Sequence, residues 1–126
     1  MCGIVGLFLK DQNLQPELGT YLADMLVKMS DRGPDSAGMA LYSKPLQFDM
    51  KLTLKFDPEV RKQDLQAILD KDLKNKFDVK LRGSHVVICF SKSDYDVVLD
   101  CITQFNSVAC VMSKGEVIEI FKEVGS

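Results

Sequence analysis

Two short stretches hold the residue types that could do chemistry. The chain opens MCGIVGLF, and RGPDSAG runs from Arg32 to Gly38. Cys2 stands directly behind the initiator methionine, so removal of Met1 would put a thiol and a free α-amine on one residue. An α-amine has a pKa of ~8, against ~10 for a lysine, and supplies free base at neutral pH. One residue then offers both nucleophile and base, the logic of nucleophiles activated by an N-terminal amine. No histidine is required, which matters in a chain whose only histidine is His85. RGPDSAG adds a cation, a turn and a hydroxyl, in a loop of the kind that presents sites from rigid elements. Each stretch also has a plain structural reading. Gly33 and Pro34 can end a helix, Asp35 can accept backbone hydrogen bonds in a turn, and Arg32 can be a solvated charge.

The elements that would position these residues can be read from periodicity. Gly3 to Leu9 is a short apolar run with two glycines and reads as a buried strand. Pro16 suits the first turn of a helix whose stripe is Leu18, Leu22, Met25, Leu26 and Met29, ended by Gly33 and Pro34. SAGMALYS (36–43) reads as a second strand and Lys44 to Met50 as a loop. Leu52 to Phe56 is a strand, after which Asp57 and Pro58 would cap and open a helix carrying Leu65, Ile68, Leu69 and Leu73. Asp78 to Arg82 and His85 to Phe90 read as strands of a hairpin across Gly83 and Ser84. A helix from Ser93, with Asp96 as capping-box partner, would bury Val97, Val98, Cys101, Ile102 and Phe105. SVACVM (107–112) closes a β-α-β-β-α-β order over residues 50–113, the split ferredoxin-like arrangement. GEVIEIFKEVG (115–125) alternates like one further strand.

Composition limits the function classes. The 126 residues are 46% hydrophobic and 27% charged, the make-up of one ordinary globular domain. A net charge of -2 with both signs interleaved argues against a surface built for nucleic acid. No apolar run reaches the ~18 to 20 residues that span a bilayer, and no signal-like leader opens the chain, so a cytoplasmic protein is expected. The cysteines are Cys2, Cys89, Cys101 and Cys110. None lies in metal-ligand spacing with another or with His85, and no metal site is expected. Cys89, Cys101 and Cys110 sit in apolar surroundings and read as small buried hydrophobes, which leaves Cys2 as the cysteine whose position packing does not explain. His85, at the start of a strand, reads as a structural histidine. The 50–113 unit shows no convergent polar cluster in its sequence.

MCGIVGLF at the start, followed after a helix by RGPDSAG and an apolar strand, resembles the class II glutamine amidotransferases of the N-terminal nucleophile hydrolase superfamily. The likeness runs over residues 1 to about 43. It is nearest to the amidotransferase subunits related to glutamate synthase and N-methylglutamate synthase, in which an α/β segment also follows this strand. The resemblance implies an α/β (α+β) chain: the front part of an αββα sandwich (1–49), an inserted ferredoxin-like unit (50–113) and a strand returning to the parent domain (114–126). It implies that Cys2 attacks the side-chain amide of L-glutamine and forms a γ-glutamyl thioester that water releases as glutamate. Its amine would shuttle the proton to departing ammonia. Gly3 would let the backbone pass close to substrate, Arg32 would support the N-terminal loop by hydrogen bonds, Asp35 and Ser36 would hold the turn beside the site rather than touch substrate, and Gly33 would belong to the site's support. No cofactor is implied for this half, and the resemblance implies a separate synthase partner, flavin-dependent or not, that would consume the ammonia.

The family's remaining groups are not found. It uses a later arginine for the glutamine carboxylate, an Asn-Gly pair for the oxyanion hole and an aspartate for the α-amine. Here Asn13, Asn75 and Asn106 are followed by leucine, lysine and serine, and Arg61 and Arg82 fall within the 50–113 unit. The chain ends where those motifs would begin, and alone it is expected not to turn over glutamine. The alternative is a non-catalytic module that binds a ligand or partner through the 50–113 unit.

Overall fold

A computed structural model of the chain describes residues 2–45, 47–105 and 108–124. It is a mixed structure of helices and antiparallel sheet, an α+β chain. The chain divides into two compact units, one formed by the residues up to Gly38 with those from Lys122 onward, the other by Met39–Phe121. Among the described residues no helix is long and apolar enough to cross a membrane.

The Met39–Phe121 unit is built on a four-stranded sheet. Its strands are β2 (Met50–Asp57), β3 (Phe77–Arg82), β4 (His85–Phe90) and β5 (Val108–Gly115), in the order β3-β4-β2-β5 with every neighbouring pair antiparallel. Between them lie α2 (Lys62–Asp72) and α3 (Tyr95–Ile102). Strand alternation sends Leu52, Leu54 and Phe56 of β2 and Val86, Ile88 and Phe90 of β4 to one face. There they meet Leu65 and Leu69 of α2, one helical turn apart, and Val98, Cys101 and Ile102 of α3 in a single core. Each such buried side chain contributes roughly 1.5 to 3 kcal/mol. The opposite face has its own smaller core, in which Val87 and Cys89 pack with Phe121 under Leu41 and Phe48. Because both of its faces are covered, all six residues of β4 are buried. Gly83, at φ 60°, takes the first central place of the β3–β4 turn, where an L side chain would be strained. His85 is buried edge-on to Phe121, with centroids 5.4 Å apart, and its Nδ1 lies 3.2 Å from Ser84 Oγ.

The first unit is different in kind. Its helix α1 (Leu18–Lys28) follows a 3-10 segment, Gln12–Glu17, that contains Pro16 and is capped by Asp11, whose Oδ1 accepts from Asn13 N at 2.9 Å. All five residues of the expected stripe are half-buried, and among the described residues of this unit none is fully buried. Strand β1 (Ser36–Tyr42) pairs with β6 (Ile118–Val124) in a two-stranded sheet.

Several expectations need correction. Gly3 to Leu9 forms no strand: among the described residues no strand lies beside it to take its backbone hydrogen bonds, although Val5, Leu7 and Leu9 are half-buried and the residues between them exposed. Helix α1 ends at Lys28, ahead of Gly33, and a 3-10 turn over Ser30–Arg32 follows. Asp57 does not cap α2. It is the last residue of β2, opposite Val108, and the helix starts after Arg61, whose guanidinium donates to both oxygens of Asp64 in the first turn. Ser93 belongs to a 3-10 turn, Lys92–Asp94, so no capping box forms with Asp96, and Val97 faces solvent. Cys110 is exposed, on an edge strand opposite Lys55. Ser107 and Gly125, the ends of two expected strands, lie outside the described residues.

Candidate functional site

The turn that follows α1 brings the two motifs together. Arg32 N donates to Met29 O at 3.0 Å and Gly33 N to Ser30 O at 3.2 Å, a tight winding that sets Arg32 one turn beyond Met29. Both side chains lie against Gly3. A Cβ placed on Gly3 would collide with Met29 Cε and stand 3.4 Å from Arg32 Cδ. Glycine is therefore the residue that lets the N-terminal segment lie on this turn without displacing it. Cys2, next along, is exposed, with a free thiol. Arg32 reaches Gly3 through its side-chain carbons, and among the described residues its guanidinium makes no hydrogen bond or ion pair. Gly33 closes the 3-10 turn with open space around its Cα, and Asp35 is exposed just ahead of β1. Met1 lies outside the described residues. Among the described residues no group of histidine, cysteine, aspartate or glutamate is arranged to hold a metal ion.

The Met39–Phe121 unit contains a convergent polar cluster, whose members other than Lys51 lie outside residues 50–113. Lys51 is almost fully buried, and its Nζ donates to Glu119 Oε2 at 3.0 Å, to the carbonyl and hydroxyl oxygens of Ser43, and to Val117 O at 3.4 Å. Glu119 is 12% exposed and Lys51 4%, so this ion pair is largely withdrawn from water. Three strands meet at one ammonium group as a result: β2 through Lys51 itself, the end of β1 through Ser43, and β6 through Glu119. The sequence signal was faint. Lys51 stands between Met50 and Leu52 and Glu119 between Ile118 and Ile120, which says that each points away from its apolar chain neighbours but not that they meet.

The two buried thiols are chemically quiet. Burial pushes the Cys101 thiol up to about 11, helped by Asp72, whose Oδ2 accepts from Sγ at 3.5 Å. Cys89 is also raised by burial, against the opposing pull of Lys80 and Lys51. Neither is thiolate at neutral pH, which is what a nucleophile needs.

Comparison with known proteins adds one finding. The chain is 39% identical over 126 residues to the glutamine amidotransferase-like protein GlxB of Rhizobium meliloti (strain 1021), over 99% of this chain and 42% of that protein. The two chains are related in sequence. The chain thus spans less than half the length of the curated relative it matches. No family model matches the chain, and no solved structure matches it.

Proposed function

We propose that the chain carries the nucleophile-bearing front part of a class II glutamine amidotransferase of the N-terminal nucleophile hydrolase type, acting in the cytoplasm. The observation that carries this reading is the packing of Gly3 on Met29 and Arg32, which sets the exposed Cys2 thiol beside the turn that opens RGPDSAG. The likeness to an amidotransferase-like protein supports it.

After loss of Met1, the α-amine of Cys2 takes the thiol proton. The sulfur attacks the side-chain carbonyl carbon of glutamine, and the electron pair of the C=O moves to oxygen. Collapse of the tetrahedral species breaks the C–N bond, and the protonated amine hands its proton to ammonia as that leaves. Water then attacks the thioester carbon, the C–S bond breaks, glutamate departs and the thiol is restored. Donors for the oxyanion and a cation for the α-carboxylate come from outside residues 2–45, on a downstream segment or a partner chain. Losing even one oxyanion donor typically costs ~100 to 1,000-fold, so the 126 residues by themselves should release no measurable glutamate. A synthase partner would take the ammonia. The inserted place of the 50–113 unit and the return of the chain at 114–126 are part of this reading.

The test uses intact mass and a glutamine-analogue electrophile. The expected result is a chain lacking Met1 that gains one adduct, on Cys2, once the downstream segment is supplied. Full activity with Met1 retained, or after Cys2→Ser, would overturn the mechanism. The buried Lys51 cluster favours a second reading, in which the Met39–Phe121 unit is a ligand-binding module; that reading expects no Cys2 adduct in either form.

A further inference from the structure

A cleft of about 480 Å³ opens on the face of the four-stranded sheet turned away from α2 and α3, within the Met39–Phe121 unit. That volume falls in the range of small-molecule sites, ~300 to 1,000 Å³. Its floor is apolar: Val87 and Cys89 of β4, with Leu41 and Phe48 beside them. One wall is the row Asp78, Lys80 and Arg82 on β3, an edge strand. The strand register fixes that row, setting Asp78 beside Cys89, Lys80 beside Val87 and Arg82 beside His85. The other wall is the segment after β1, which brings Lys44.

Charge bookkeeping within the cleft has a definite outcome. Six charged side chains line it, four of them cationic: Lys44, Lys51, Lys80 and Arg82, against Asp78 and Glu119. Glu119 is held by Lys51 at 3.0 Å, and Asp78 by Lys80 at 3.7 Å. Lys44 and Arg82 remain, with no ion pair to either among the described residues. The Lys51 ammonium has no donor to spare, since Ser43, Val117 and Glu119 already surround it. Its part is to pin the Ser43 backbone next to Lys44, and so to hold one wall at a set distance from the floor.

We infer that this cleft binds a small organic dianion with a short apolar body, of the dicarboxylate class, with its acidic ends on Lys44 and Arg82 and its methylenes over Val87, Cys89 and Phe48. The inference is independent of the glutaminase reading. Arg82 suits a carboxylate because its planar fork matches two oxygens, and among the described residues its one hydrogen bond goes to Leu81 O at 3.3 Å. An inorganic anion would leave the apolar floor wet, and a nucleic acid strand would meet too little positive charge on a chain of net charge -2.

The experiment is calorimetric titration of the full 126-residue chain with glutarate, inorganic phosphate and sodium chloride as separate probes. Expected is saturable, one-site binding of glutarate that persists at ~0.15 M salt, where loose counter-ion accumulation is largely screened. Arg82→Gln and Lys44→Gln should each weaken it about tenfold or more, as loss of a charge-assisted hydrogen bond does. Lys71→Gln, on α2 and outside the cleft, should leave it unchanged. Cys89→Leu fills the floor with a larger side chain and should also block binding, and circular dichroism of each variant shows that the sheet remains. No saturable glutarate binding, equal binding of phosphate, or glutarate binding indifferent to Arg82→Gln in a folded variant would each overturn the inference.

Discussion

The two units of this chain spend their apolar residues differently. In Met39–Phe121, apolar residues at strand and helix spacing close into a core, and among the described residues twelve of them, Cys101 included, form one buried cluster. In the unit that holds Cys2, a stripe of equal quality on α1 is only half-covered, while Ile4, Phe8 and Val124 are 94%, 83% and 90% exposed. Exposed apolar groups on that scale mark surfaces made to be covered. Periodicity therefore reports which face of an element is apolar, and burial depends on whether a second layer exists to receive it. Cys2 lies on the less covered side of that contrast, as a segment awaiting its second layer would require under the proposed function.

The contrast is sharpest in what a single substitution should cost. Removing one member of a buried ion pair strands the other, at about 3 to 5 kcal/mol. Lys51→Met should therefore be among the most damaging changes in the molecule, since it leaves Glu119 buried without its cation and Ser43 without its donor. The double variant Lys51→Met, Glu119→Leu should regain most of the loss, because a buried pair contributes little beyond an apolar pair of similar volume. Urea unfolding of the two variants makes the comparison. A mild Lys51→Met would show that water reaches the pair and that the second face of the sheet is as open as the first unit.

Next in size is a pair of truncations across the divide. Leu54→Ala empties a fully buried place and should cost about 2 to 5 kcal/mol, whereas Leu22→Ala on the half-exposed α1 stripe should cost under ~1 kcal/mol. Equal costs would mean that the first unit has a core in solution, and would remove the basis for a missing layer.

Much of this was legible in the sequence, and the failures have physical reasons. Strand β1, the β3–β4 hairpin and β4 stand where apolar spacing and turn residues put them, because local pattern and local geometry agree there, and α1 carries the expected stripe though it stops short of Gly33. Residues 3–9 misled because an apolar run shows strand character without showing a partner strand. Asp57 and Ser93 misled because a good cap residue can equally end a paired strand or enter a 3-10 turn, and the pairing of Asp57 with Val108 is decided 51 residues away. The Lys51–Glu119 pair is separated by 68 residues in the chain, and no short-range rule reaches it. Of the candidate site, the residue types at Cys2, Gly3 and Arg32 were readable; that Gly3 rests on the Met29 and Arg32 side chains required the fold.

A smaller effect separates the units by pH. Cys101 lies in the main core, and its thiol is raised from the ordinary 9.0 to about 11. Below pH 9 the thiol is neutral in folded and unfolded chains alike, and its contribution is complete. Between pH 9 and 11 the unfolded chain ionises first, so stability falls across that window and the loss from this group ends above it. Cys101→Ala should lower the baseline through lost packing but flatten the decline of Tm between pH 9 and 11. An unaltered slope in Cys101→Ala would place that thiol in contact with water and blur the distinction between the buried and exposed cysteines.

The smallest expected change in stability comes from Gly3→Ala. The added methyl would meet the terminal methyl of Met29, the end of a flexible side chain, and Met29 is itself only half-buried. Rotation of Met29 relieves the clash at little energetic expense, so the melting temperature should move by no more than about 1 °C, equivalent to a few tenths of a kcal/mol. Arg32 Cδ, 3.4 Å from the new carbon, is at ordinary contact distance and need not move, so whatever room Met29 does not yield must come from a lift of the N-terminal segment. Cys2 would move with it. In a protein supplied with the downstream segment, glutamine turnover should therefore fall at least tenfold while the fold is unaffected, since displacing a nucleophile by a fraction of an ångström to 1 Å degrades attack geometry. Adding Met29→Ala to Gly3→Ala should restore part of the rate by giving the methyl room. A Gly3→Ala protein with full turnover would mean that the contact between the N-terminal segment and the turn after α1 does not set the position of the thiol, and the observation that carries the proposed function would lose its force.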